Sequence, residues 1–179
     1  MGAGKSSVGR ILGERLGWTF EDLDDRIERR ERRTVAEIFR DSGESEFRRA
    51  EHAALRDLFS ELRTGGKKIV ALGGGAFAQE NNARLLAAEG ARTIFLDAGV
   101  DELWRRCRHQ AEQPGSERPL LGSVETFRDL YRKRRPNYLR ALLRQDTDGK
   151  SMDQIAAEML RALGLNPEPT DPQPERSGE

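Results

Sequence analysis

The first residues of the chain combine side chains that bind nucleotide phosphates. Gly4, Lys5 and Ser6 match the end of the P-loop pattern G-x-x-x-x-G-K-[ST]. In such a loop, glycine lets backbone N–H groups approach phosphate oxygens, lysine reaches the β- and γ-phosphates, and the hydroxyl binds Mg²⁺. Apolar residues at helical spacing follow, from Val8 to Leu16, so the loop leads into a helix N-terminus that favours an anion. A glycine-rich turn without a ligand is the alternative.

The P-loop pattern is incomplete at its start. Its first glycine would fall just before Met1, and the buried strand that normally leads into the loop is absent as well. We therefore expect a sheet that lacks its first central strand. We also expect the natural chain to begin upstream of Met1 by roughly ten residues, the length of one strand and its lead-in.

Two aspartates follow the first predicted strand, Trp18 to Phe20. Asp22 and Asp24 are two residues apart, so they share one face of an extended segment. Open α/β sheets place ligand chemistry at the carboxyl ends of their strands, which is where these carboxylates fall. The alternative is a solvated acidic turn that caps the next helix.

Other groups suited to a small anionic ligand come later in the chain. Arg48 precedes Glu51 by three residues, so the two can also form a simple ion pair on one helix face. Gly73-Gly74-Gly75 ends an apolar strand and leaves bare backbone, either for a ligand or for a flexible turn. Residues 132–138 are strongly basic without acidic residues among them, which suits an anionic substrate or a solvated surface.

Short apolar strands alternate with amphipathic helices, which indicates an α/β fold with a parallel sheet. Ile69–Leu72 is predicted to be a central strand buried on both faces. Residues 109–121, which include Arg118, are typical of a lid that closes over a nucleotide, or of an ordinary surface loop. We expect one domain over residues 1–165 and a disordered, proline-rich tail over residues 166–179.

Composition narrows the classes of function. The chain has 179 residues, and its 31 Lys and Arg residues balance 31 Asp and Glu residues. A net charge near zero argues against binding to nucleic acid or to an anionic membrane. A single cysteine, Cys107, excludes an internal disulfide and suits a reducing compartment. No apolar run approaches the ~18 residues of a membrane-spanning helix. We expect a cytoplasmic protein, and nothing in the sequence demands more than a monomer.

Together the motifs resemble the shikimate kinase family, over nearly the whole chain from Met1 to about Leu163. Each motif is weak alone, and the ordered set is specific. In chain order the motifs are Gly2-Ala3-Gly4-Lys5-Ser6; Phe20-Glu21-Asp22-Leu23-Asp24 followed by Ile27-Glu28; Gly43-Glu44 with Phe47-Arg48 and Glu51; Gly73-Gly74-Gly75; and Arg118-Pro119-Leu120-Leu121 with a later Arg134-x-Pro136-x-Tyr138.

The resemblance implies ATP-dependent phosphorylation of the 3-hydroxyl of shikimate. The implied fold is a five-stranded parallel sheet flanked by helices, as in nucleoside monophosphate kinases. For the nucleotide, the resemblance implies that the ATP phosphates are contacted by Gly2, Ala3, Gly4, Lys5, Ser6 and Ser7, that Lys5 stabilises the transferred group, and that Arg118 closes onto the phosphates. One Mg²⁺ would be held by Ser6 and, through water, by Asp22. For the acceptor, Asp24 would orient or deprotonate the attacking hydroxyl, Arg48 and Arg134 would bind the substrate carboxylate, and Gly74 and Gly75 would lie under the substrate ring.

Two other interpretations remain open. A gluconate-type kinase on the same fold would share the P-loop and lid, but it would not need the Phe47-Arg48 motif, the glycine triplet and Arg134 as a set. A non-catalytic binding domain descended from a kinase is suggested by the missing strand. The presence of Lys5 and Asp24 argues against this second alternative.

Overall fold

The computed structural model describes residues 2–111 and 123–167, which form strands that alternate with helices. In chain order the elements are α1 (Lys5–Leu16), β1 (Thr19–Asp22), α2 (Leu23–Glu31), α3 (Val35–Leu62), β2 (Lys68–Ala71), a 3₁₀ turn (Ala76–Ala78), α4 (Glu80–Ala88), β3 (Ile94–Asp97), α5 (Val100–Ala111), α6 (Val124–Tyr138), β4 (Leu143–Asp146) and α7 (Met152–Leu163). None of the described helices is both long enough and apolar enough to span a membrane.

The strands form two separate parallel pairs. β1 pairs with β2, in a register that runs from Thr19 opposite Lys68 to Asp22 opposite Ala71. β3 pairs with β4, from Ile94 opposite Leu143 to Asp97 opposite Asp146. The predicted α/β class with parallel strands is confirmed.

The expected five-stranded sheet differs from what is observed. Within residues 2–111 and 123–167, no ladder joins β2 to β3 and the strands number four. β2 was predicted to be central and buried on both faces, yet β1 is its one described partner and Ile69 and Val70 are only partly buried. A ladder requires a strand within about 4.8 Å, and the described residues supply none between the two pairs. This agrees with the prediction that the sheet lacks a central strand.

Helix α1 packs against elements of both strand pairs. It contacts β1, β2 and α7. Val8 and Leu12 bury its apolar face in a core cluster with Leu96 and Ile155. A Cβ atom on Gly9 would lie 2.4 Å from the ring of Phe20, so glycine is what allows α1 to approach β1 this closely. The helix that follows the P-loop is therefore held firmly from both sides.

Helix α3 begins with a capping box, as the spacing of Thr34 and Glu37 in the sequence favours. Thr34 Oγ1 accepts a hydrogen bond from the Glu37 amide at 3.2 Å, and the Glu37 carboxylate accepts one from the Thr34 amide at 2.7 Å. Gly43, with φ 78° and ψ 175°, interrupts the helical backbone. The segment after Gly43 carries Phe47 and Arg48, and Phe47 packs into the second core cluster.

Candidate active site

The predicted P-loop leads directly into a helix. Gly2 and Gly4 have φ values of 67° and 77°, in the left-handed region that favours glycine. α1 starts at Lys5, and the Val8 amide donates to the Gly4 carbonyl at 2.9 Å. Val8 is thus an early intrahelical donor, and the amides before it belong to the first turn, where N–H groups lack intrahelical partners. The local geometry suits an anion at this helix N-terminus.

Ser6 and Asp22 meet beside the loop. Ser6 Oγ donates to Asp22 Oδ2 at 3.0 Å, across sixteen residues of sequence. Asp22 Oδ1 accepts from the Asp24 amide at 3.1 Å and caps α2. The capping interpretation of Asp22 is confirmed, and because its other carboxylate oxygen faces the P-loop serine, a role in ligand chemistry stays a prediction.

This pair is chemically suited to Mg²⁺. A hydroxyl and a carboxylate are hard oxygen ligands, and Mg²⁺ is usually held by one or two such groups together with substrate phosphates. Within the described ranges, no cluster of three or more His, Cys, Asp or Glu side chains is arranged to hold a metal by itself. The pair therefore fits a metal that arrives with a nucleotide better than a metal in an all-protein cage.

Asp24 and Arg48 both lie against the glycine loop, residues 73–75. A Cβ on Gly73 would lie 2.9 Å from Asp24 Oδ1, and a Cβ on Gly75 would lie 2.5 Å from Arg48 Nη2. Two residues that are twenty-four positions apart in the sequence are thus brought to one loop at the end of β2. The bare backbone predicted here allows these two protein side chains to approach closely, and its contact with a ligand stays a prediction.

Arg48 is held in place by carboxylates of its own helix. Its Nη1 donates to Glu51 at 3.0 and 3.1 Å, and its Nη2 donates to Glu44 at 3.0 Å. Burial raises the pKa of Glu51, Arg48 opposes this, Asp24 raises the pKa further and Arg134 lowers it. The helix-face ion pair predicted for Arg48 and Glu51 is present, and the charges of Asp24 and Arg134 are close enough to act on it.

Helix α6 brings Arg134 and Tyr138 to the same loop. The Tyr138 hydroxyl donates to the Gly74 carbonyl. Burial raises the pKa of Tyr138, while the charges of Arg134 and Arg48 and a hydrogen bond with Arg134 oppose that shift. The Gly74 backbone therefore meets a half-buried phenol, and the charges of Arg134 and Arg48 are both close enough to act on it.

The arginines of the basic segment 132–138 have different partners. The segment forms the last part of α6. Acidic partners come from elsewhere: Arg132 donates to Asp129 at 3.2 Å, and Arg135 donates to Asp97 at 2.9 Å. Arg135 is thereby committed to the end of β3, whereas Arg134 interacts with Tyr138, which bonds to the glycine loop.

Some site residues escaped the sequence analysis, and others lie outside the described ranges. The motif that contains Tyr138 predicts no separate role for this residue, and no motif contains Asn82. Asn82 is 1% exposed and lies within hydrogen-bonding distance of Glu51. A polar residue on the apolar face of α4 was the signal available for it. Arg118 and most of the predicted lid fall in residues 112–122, outside the described residues, so their roles remain predictions.

Comparison with known proteins identifies the family. A model of the family described as shikimate kinase matches residues 1–164. The chain belongs to the shikimate kinase family. Shikimate kinase from Cereibacter sphaeroides is 38% identical over 168 residues, which cover 94% of this chain and 81% of that protein. The family resemblance inferred from the motifs is confirmed.

Solved structures agree with this family membership. Shikimate kinase from Acinetobacter baumannii, in complex with shikimate, matches with a TM-score of 0.79 and 32% identity over 91% of this chain and 88% of that one. A gluconokinase from Sinorhizobium meliloti matches with a TM-score of 0.54 and 17% identity over 92% of this chain and 87% of that one, a likeness of fold alone. The gluconate-type alternative therefore gains no support beyond the shared fold.

Proposed function

We propose that this protein transfers the γ-phosphoryl group of ATP to the 3-hydroxyl of shikimate. The observation that carries the proposal is the placement of Asp24 and Arg48 against one glycine loop, which Tyr138 also reaches, near a P-loop helix whose serine faces Asp22. Shikimate is a small carboxylate with three hydroxyls. Guanidinium forks suit the carboxylate and an aspartate suits a hydroxyl, so the charges match this acceptor.

The nucleotide half of the proposed site is the P-loop. The backbone N–H groups of Gly2, Ala3, Gly4, Lys5, Ser6 and Ser7 bind the ATP phosphates. The Lys5 ammonium stabilises the charge that accumulates on the transferred group, since phosphoryl transfer depends on positioning and charge neutralisation. Arg118 completes this half by closing from the lid, residues 109–121, onto the phosphates and excluding water.

Ser6 and Asp22 are the proposed holders of one Mg²⁺, with Asp22 acting through water. A metal held there would supply positive charge that neutralises the phosphates. The family's use of ATP makes a metal at this position the natural companion of the nucleotide, and the hydroxyl and carboxylate present here fit it.

The acceptor half of the proposed site holds shikimate on the opposite side of the transferred group. Arg48 and Arg134 bind the carboxylate, and the ring lies over Gly74 and Gly75. Asp24 accepts the proton of the 3-hydroxyl while the oxygen of this hydroxyl forms a bond to the γ-phosphorus. The bond from this phosphorus to the β,γ-bridging oxygen breaks at the same time, and ADP leaves. Because the two arginines require a negative charge on the acceptor, a neutral sugar would bind weakly.

We further propose a monomeric cytoplasmic enzyme. Its catalytic domain comprises residues 1–165, and residues 166–179 form a tail that takes no part in catalysis. Small-molecule substrates, rather than nucleic acid or membrane, are its partners. A truncated variant that ends at residue 167 should therefore have the same turnover as the full chain.

The test is release of ADP from ATP and Mg²⁺ with shikimate or gluconate as the acceptor. Release that depends on shikimate supports the proposal. Release that depends on gluconate assigns the protein to the other kinase class. Binding of ATP without turnover of either acceptor supports the non-catalytic domain instead.

A further inference from the structure

Asn82, in the first turn of α4, is a buried polar residue that the proposed chemistry does not use. It is 1% exposed. Its Nδ2 donates to the Ala76 carbonyl at 3.1 Å and lies 3.5 Å from Glu51 Oε2, and its Oδ1 lies 2.8 Å from His52 Nδ1. Because an amide oxygen only accepts, His52 Nδ1 is the donor in this last contact. Three contacts thus fix the orientation of the amide.

These contacts close a ring around the glycine loop. Arg48 lies against Gly75 and donates twice to Glu51. Glu51, itself 1% exposed, is reached by the amide of Asn82. Asn82 returns to the loop through the carbonyl of Ala76, the residue next to Gly75. The ring therefore joins α3, α4 and the loop, and displacement of any member changes the position of Arg48 relative to Gly75.

We propose that Asn82 is a positioning residue for the acceptor half of the site, which acts by fixing Glu51, and hence Arg48, relative to the glycine loop. The inference deepens the proposed function and rests on it. Asn82 does not touch the substrate; it sets the distance and angle at which the Arg48 guanidinium meets the acceptor carboxylate. Its effect should therefore appear in acceptor binding and leave the nucleotide half unchanged.

The amide is chemically suited to this role because it offers two N–H donors at one nitrogen. One donor reaches a carbonyl and the other faces a carboxylate, so both oxygens are satisfied by a neutral group. Burial raises the pKa of Glu51, so each donor near its carboxylate helps to keep it ionised beside Arg48. An aspartate has the same shape but no donor, and it would place a second negative charge next to Glu51.

Asn82→Asp is accordingly the sharpest test, and Asn81→Asp is its matched control. Asn81 precedes Asn82 on the same helix and is exposed, so it undergoes the same change of charge at the surface. We expect Asn82→Asp to raise the KM for shikimate about tenfold, as for loss of a hydrogen bond to a charged group, with the KM for ATP unchanged. Asn81→Asp should leave both constants as in the wild type.

A second measurement separates positioning from a general effect on folding. The Asn82→Asp change is repeated in an Arg48→Lys background, with shikimate affinity measured by calorimetry. If Asn82 acts through Arg48, adding Asn82→Asp to the Arg48→Lys variant weakens shikimate binding by less than about threefold beyond the loss caused by Arg48→Lys alone. A tenfold further loss in that background would overturn the proposal, because it would show that Asn82 acts independently of Arg48.

The neutral variant Asn82→Ser covers the case in which the aspartate prevents folding. It removes the reach of the amide without adding charge, and we expect a severalfold rise in the KM for shikimate alone. An equal rise in both KM values, or an unchanged KM for shikimate, would refute the role of Asn82. Wild-type protein without shikimate-dependent ADP release would instead refute the proposed function, so the two failures are distinguishable.

Discussion

Substitution of Gly75 by alanine tests the close approach of Arg48 to the glycine loop. Gly75 has φ −103° and ψ −19°, a conformation that alanine adopts without strain. The backbone is therefore not what requires glycine here. The added methyl group would instead meet Arg48 at 2.5, 2.7 and 2.8 Å, all three contacts being with atoms of the guanidinium.

The size of the expected effect follows from these distances. Ordinary van der Waals contact begins at 3.4 Å, so the nearest nitrogen, at 2.5 Å, has to retreat by about 1 Å. A displacement of about 1 Å in a positioning group can reduce a rate by up to about a hundredfold. We expect kcat/KM for shikimate to fall about ten- to a hundredfold, which corresponds to ~1.4–2.7 kcal/mol of transition-state stabilisation.

The assay is steady-state ADP release with shikimate and ATP varied in turn. Gly75→Ala should impair the constants for shikimate and leave the KM for ATP unchanged. Gly99→Ala is the control, because its Cβ would lie 3.5 Å from Asp148, an ordinary contact. A Gly75→Ala enzyme with wild-type kcat/KM for shikimate would refute the argument that Arg48 is held against the loop.

Four further predictions concern single charges. Asp24→Asn should abolish most turnover while ATP binding, measured by calorimetry, stays largely intact; normal turnover would remove Asp24 from the catalytic residues. Arg134→Ala should raise the KM for shikimate well above any change in the KM for ATP, and equal changes would indicate a purely structural role. Asp22→Asn keeps an oxygen to cap α2 but loses the charge, so the Mg²⁺ concentration for half-maximal ADP release should rise severalfold; an unchanged Mg²⁺ requirement would exclude Asp22 from the metal site. A hydrogen bond from Arg26 lowers the pKa of Glu61 from 4.5 to about 2, so the Glu61 carboxylate stabilises the fold above pH 4.5 and this contribution is lost as the pH falls towards 2. The urea midpoint of Glu61→Gln should therefore be slightly below that of the wild type at pH 7 and approach it at pH 3.5. A difference between the two midpoints that grows as the pH falls would contradict this direction of the pKa shift.

Local signals predicted most of the elements, because each depends on residues close together in the sequence. The Thr34 capping box and the left-handed Gly17 at the end of α1 both follow from local residue types, a Thr-x-x-Glu pattern and a glycine after an apolar periodic run. The acidic motif after β1 is another case, since Asp22 caps the helix directly after it. Such interactions span only a few residues, so the local sequence pattern includes every residue that takes part and is enough to predict them.

Contacts between distant segments were not predictable in the same way. The apolar run of β2 shows that it is a strand, but whether a second strand lies beside it depends on another part of the chain. The hydrogen bond from Tyr138 to Gly74 spans sixty-four positions, and that from Arg135 to Asp97 spans thirty-eight. The motif resemblance selects Arg134 from the basic run, but the partner of Arg135 depends on such a distant contact and is seen only in the structure.

The central claim is that the phosphoryl group goes to the 3-hydroxyl of shikimate. The most direct measurement is two-dimensional ¹H–³¹P NMR of the product formed from ATP, Mg²⁺ and shikimate by the full chain. The account predicts a phosphate monoester whose phosphorus couples to the ring proton at carbon 3. Coupling to the proton at carbon 4 or 5 would contradict the proposed placement of Asp24, and the absence of any new phosphate ester would contradict the proposed activity itself.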